Sequence, residues 1–264
     1  MLQPTPFKPA ILFGTLFLLQ LLGMQQTGKA QFPLPDSACG GVPVTLTNPA
    51  PGASGYYWNF CNTAISTTPG AVNLGNFGGA ISVPTWISVA KDGNDYYAFT
   101  ANHLDGTIIR LSFGSSLGNT PVAYNMGRMG NALPTLLESI KIINDNGIWY
   151  GLAVGGNAPT GVASGRVVLI NFGASLANNA PVATNLGNFL AMGFPTDIKV
   201  LRESGNWAAF ITDAYSNSRI VRLDFGNSLV NIPLATPINV PNMSFPTGMC
   251  EVKDRGNWYL FVCN

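Results

Sequence analysis

"NFGASLANNAPVATNLGNF" occupies residues 171–189, and the chain repeats its wording as "SFGSSLGNTPVAYNMG" at 112–127 and "DFGNSLVNIPLATPINV" at 224–240. Aligned on the Phe-Gly pair, the copies fall at Phe113, Phe172 and Phe225. A second marker, proline followed by threonine, recurs at Pro84-Thr85, Pro134-Thr135, Pro195-Thr196 and Pro246-Thr247. A third, an aromatic just after a glycine turn, recurs at Tyr96-Tyr97, Trp149-Tyr150, Trp207 and Trp258-Tyr259. Three markers in constant order, about 50–60 residues apart, define a repeat of the length found in propellers and solenoids.

Within one unit the pattern is that of strands. "TWISVAK" (85–91), "DYYAFTANH" (95–103), "TIIRLSF" (107–113) and "VAYNMG" (122–127) are short runs rich in β-branched and aromatic residues, separated by Gly, Asn and Asp. They read as a four-stranded antiparallel meander, one propeller blade. In the quoted phrase the Phe buries, the Gly permits positive φ, and the Ser-Leu-x-Asn-x-Pro run turns the chain. The predicted fold is an all-β propeller of four-stranded antiparallel blades at about 72–127, 128–187 and 188–240, with a partial fourth at 241–264. Trp207 and Trp258 are expected between neighbouring blades, because a lone meander cannot bury both of its faces. The half-blade at the end is read as a chain cut short. The alternative is ring closure by the N-terminal runs "VPVTLTN" (42–48) and "GYYWNF" (55–60).

Composition agrees with this class. Only 9% of the 264 residues are charged, and Gly (30) and Pro (19) are abundant, as tight turns require and helices do not tolerate. Residues 1–30 read as a signal peptide: Lys8 precedes an apolar run at 10–24, and Gly28 and Ala30 offer a small-residue cleavage site. The apolar run falls short of the roughly 20 residues that span a bilayer, and Gln20 interrupts it, so no transmembrane anchor is expected. Without Lys8 and Lys29 eleven basic residues face twelve acidic ones, a net charge of −1, and nothing favours nucleic acid as a partner. The four cysteines form an even set in a chain read as exported. The expected disulfides are Cys39 with Cys61 and Cys250 with Cys263, the latter pair flanking a predicted hairpin.

Residues 38–61, "ACGGVPVTLTNPAPGASGYYWNFC", resemble the opening of a PKD domain, and residues 31–70 are assigned to such a segment. From "VNLGNFGG" at 72–79 onward, the units resemble the propeller repeats of large secreted proteins of gliding bacteria. Those proteins carry PKD domains and a gliding-motility-type C-terminal sorting module. The resemblance implies an extracellular or cell-surface interaction protein, with residues 71–264 as the repeats.

No nucleophilic or phosphate-loop constellation emerges from the chain. His103 and Asp105 lie two apart beside a turn, a spacing that does not orient an acid–base pair. Glu138, Asp197 and Glu251 follow the leading prolines and are the oxygen donors available to a hard cation such as Ca2+ in a central channel. Lys91, Lys141, Arg202 and Lys253 each stand seven residues after a leading proline, as a ring of charge or as edge protection. The longest insertion, residues 155–165, offers a binding surface that includes Asn157, Thr160, Ser164 and Arg166. The resulting expectation is a non-enzymatic protein without cofactor, presenting loops to an extracellular carbohydrate, matrix or protein ligand. The alternative is a metal-dependent propeller hydrolase or lyase.

Overall fold

The computed structural model describes residues 71–157, 163–215 and 218–264. The signal-peptide and PKD-like segments, with Cys39 and Cys61, lie outside the described residues, as does Thr160.

The repeats form a β-propeller. Four-stranded antiparallel sheets are built from β1 (Pro84–Asp92), β2 (Asp95–Asn102), β3 (Ile108–Gly114) and β4 (Val122–Asn125), then β5 (Leu136–Asp145), β6 (Ile148–Gly156), β7 (Gly165–Gly173) and β8 (Val182–Gly187), then β9 (Pro195–Glu203), β10 (Asn206–Asp213), β11 (Arg219–Gly226) and β12 (Leu234–Ile238). A two-stranded sheet, β13 (Gly248–Asp254) with β14 (Asn257–Cys263), follows. Each sheet keeps its strands in chain order, so every connection within a sheet joins antiparallel neighbours.

The recurring phrase acquires a mechanical meaning. Gly114, Gly173 and Gly226 all adopt φ between +66° and +74°, a region closed to most side chains. Six residues after each Phe, the amides of Asn119, Asn178 and Asn231 donate to the carbonyls of Phe113, Phe172 and Phe225. The loop so formed projects its leucine sideways, and Leu176 and Leu229 are fully buried against the preceding blade. One core lies between the first two blades, where Phe99 meets Phe172 edge-on at 5.1 Å. A second lies between the next two, and Trp207 is buried there.

Pairing overturns one expected disulfide. Cys250 stands opposite Phe261 and Cys263 opposite Gly248, and both thiols are free and exposed. The two cysteines are thus offset diagonally, about 7–8 Å apart in such ladders, beyond the usual Cα separation of a disulfide.

Candidate active site

The first strand of each sheet faces the axis, and Trp86, Ser88, Lys141, Lys199 and Glu251 line a channel of about 300 Å3. The alignment of these strands differs from the one that the Pro-Thr marker predicts. Pro84 pairs with Asn102 and Pro195 with Asp213, but the matching position of the second blade is Leu137, paired with Gly155. Each of these strands then skips one residue in its ladder: Thr85, Glu138 and Thr196. Such a bulge re-aims a side chain. Thr85 and Thr196 use theirs to fasten the next blade, donating to the Glu138 carbonyl at 2.7 Å and the Pro246 carbonyl at 2.7 Å.

Glu138 has no such task. Its Oε1 lies 2.5 Å from Nδ1 of His103, which sits in the β2–β3 connection of the first blade. Burial raises the Glu138 carboxyl above its ordinary value, and the charge and hydrogen bond of His103 pull it part of the way back. Phe194, just before β9, stands edge-on to the imidazole at 6.3 Å. Its backbone N–H donates to Asp213 at 2.9 Å, as does that of Gly193 at 3.0 Å. Burial raises Asp213 as well, opposed by the Phe194 N–H and Arg219. Residues of three blades therefore meet at one titratable pair. The sequence does not show it because His103 and Glu138 lie 35 residues apart, while the acid near His103 in the chain is Asp105. Asp105 instead caps its own loop, accepting from Thr107 N and Oγ1.

The other two carboxylates proposed for a cation are engaged elsewhere. Asp197 is fully buried and accepts from Lys199 at 2.7 Å, Ser139 at 3.0 Å, Met249 N at 2.7 Å and Ile198 N at 2.7 Å. Glu251 pairs with Lys141 at 3.6 Å. Glu138, Asp197 and Glu251 each face a different basic side chain, and among the described residues no three His, Cys, Asp or Glu side chains converge as a metal set.

The basic ring is also revised. Lys91, Arg202 and Lys253 share a register position and each covers an aromatic ring of its own hairpin, at 5.1 Å from Tyr96, Trp207 and Trp258. In the second blade that position is Asn144, and Lys141 belongs to the channel. Asn157, Ser164 and Arg166 serve the β6–β7 connection: Asn157 accepts from Thr135 N at 3.2 Å, Ser164 donates to the Gly193 carbonyl, and Arg166 donates to Asn131, Ala132 and Leu133 carbonyls. No helix among the described residues is long and apolar enough to cross a membrane.

No family model and no curated protein matches the chain. Solved structures do. One is the α-L-arabinofuranosidase PaAbf62A of Podospora anserina in complex with cellotriose, at 11% identity and a TM-score of 0.48 over 71% of this chain and 65% of that one. A second is a GH43_1 enzyme of Xanthomonas citri complexed with xylose, at 14% identity and 0.44 over 67% and 65%. A third is a GH43 endo-arabinanase of Bacillus licheniformis, at 15% identity and 0.46 over 69% and 64%. The chain thus spans about two thirds of the length of these structures, and at such identities the likeness is one of fold. The expectation of a non-enzymatic interaction protein is corrected here: the solved structures that this propeller resembles are titled as enzymes, an α-L-arabinofuranosidase, a GH43_1 enzyme and an endo-arabinanase.

Proposed function

We propose that this chain is a hydrolytic β-propeller in which Glu138 is the general acid and His103 the residue that positions it. The observation that carries the reading is the buried Glu138–His103 contact of 2.5 Å at a bulge where the equivalent residues are structural threonines. A carboxyl whose proton affinity is raised by burial is suited to deliver a proton to a leaving-group oxygen. The substrate class to be tried is the glycoside, the chemistry named in the titles of the similar structures.

The decisive comparison is turnover of a panel of aryl arabinosides and xylosides by the wild-type protein and by Glu138→Gln. The expected result is turnover that falls on the order of 100-fold or more in the variant, with unchanged circular dichroism. Equal rates for the two proteins would remove Glu138 from the chemistry. The same reading includes export: residues 1–30 are a signal peptide, and the protein works outside the cytoplasm, as the resemblance to secreted proteins of gliding bacteria implies. Mass spectrometry of the product from its host tests this, with Gln31 as the expected first residue.

A further inference from the structure

Each inner strand is entered through a linker that one side chain, at or just past the end of the sheet's second strand, fastens. In three cases that side chain is an asparagine. Asn102 accepts from Ser82 N at 3.2 Å and returns its amide to the Ala80 carbonyl at 2.9 Å. Asn157 accepts from Thr135 N at 3.2 Å and donates to the Ser164 carbonyl at 3.4 Å. Asn264 accepts from Ser244 N and donates to the Asn242 carbonyl at 3.1 Å. Each asparagine thus holds its linker by one N–H and spends its own amide on a carbonyl.

In the third blade the fastener is Asp213, which is fully buried and has no amide to return. Its Oδ1 takes two consecutive N–H groups, those of Gly193 at 3.0 Å and Phe194 at 2.9 Å, and its Oδ2 faces Arg219 Nε at 3.6 Å. Ala214 N donates to the Phe194 carbonyl at 2.9 Å, so both backbone polar groups of Phe194 are tied. The path of the chain differs accordingly. Val83 and Phe245 stand before Pro84 and Pro246 as Phe194 stands before Pro195, and they take φ of +46° and +55°, whereas Phe194 stays out of that left-handed region. The Phe194 ring lies against the backbone of Gly156, where a Cβ would come within 2.6 Å of it, and meets His103 edge-on at 6.3 Å. The ring is therefore wedged between a glycine of the second blade and the imidazole that faces Glu138.

We propose that Asp213 is a positioning residue of the candidate active site: by holding the Phe194 N–H it turns the Phe194 ring onto His103 and so fixes the imidazole beside Glu138. An asparagine at this place, engaged with a carbonyl as its three counterparts are, would keep the linker by one N–H and release Phe194. That role presupposes the proposed part of Glu138 and His103 in the chemistry, whereas the orientation of the imidazole can be read without turnover.

His103 is the single histidine of the chain, so in protein made without a histidine tag its imidazole proton signals report on the Phe194 ring alone. Asp213→Asn is expected to displace those signals in the same direction as Phe194→Ala does. Each variant should lower kcat on aryl glycosides about tenfold or more, as loss of orientation at a reacting group does. Because both changes act through one ring, the double variant should fall no further than Phe194→Ala alone. Imidazole signals that stay at the wild-type position in Asp213→Asn would overturn the proposal, as would losses that multiply in the double variant. If Asp213→Asn does not fold, Phe194→Ala decides, and unmoved imidazole signals there would overturn it as well. Signals that move as expected in a protein without turnover would uphold the positioning of His103 and remove the catalytic reading.

Discussion

Asp197 and Glu138 are buried carboxylates on neighbouring inner strands, and they are held in opposite ways. Asp197 receives four donors, one of them the ammonium of Lys199 and one the backbone of β13, so it ties the third blade to the hairpin beside it. The Glu138 carboxyl receives one partner, an imidazole, where residues of three blades meet. A saturated acid is a fastening. An acid with one titratable neighbour and a raised proton affinity is equipped to move a proton.

That contrast can be broken most forcefully at Asp197. Asp197→Ala leaves Lys199 buried without its carboxylate and is expected to cost about 3–5 kcal/mol, read from urea unfolding. Glu138→Gln should change stability far less while removing most of the turnover. A stability loss as large as that of Asp197→Ala would put the two acids in one class.

pH sharpens the distinction. Glu138 and Asp213 have raised pKa values in the folded chain, starting from ordinary values of 4.5 and 3.8. Between the unfolded and folded pKa of each group the native state holds more protons, so stability falls as pH rises through that window. Stability curves from pH 4 upward should show this decline, and Glu138→Gln should make it shallower. His103→Ala removes the interactions that pull the Glu138 pKa down, so the alkaline limb of activity should move to higher pH while kcat drops. The smallest expected effect is that of Thr196→Val, about 1 kcal/mol for the lost bond to the Pro246 carbonyl, with activity retained.

The blades were legible because turn chemistry repeats: the glycine after each Phe and the asparagine six residues on are local demands of one loop. The site was not, for a similarly specific reason. The Pro-Thr marker pointed to Pro134-Thr135 in the second blade, whereas the register places Leu137-Glu138 opposite the equivalent partner. That displacement lies between the marker and the strand and leaves the alternation within the strand unchanged, so periodicity alone does not reveal it. The ring of Lys91, Lys141, Arg202 and Lys253 failed for the same cause, a displacement confined to the second blade. Asp197 and Glu251 lie on the first strands of their sheets; Lys199 claims Asp197 from two residues along the same strand, whereas Lys141 reaches Glu251 from another blade and carries no sequence signature.

The account stands on Glu138 as a working acid, and the most direct test is the pH profile of kcat/KM on aryl glycosides. It predicts measurable turnover with a descending alkaline limb whose midpoint lies above the ordinary glutamate value of 4.5, absent in Glu138→Gln. No turnover at any pH, or a profile that Glu138→Gln reproduces, would contradict it.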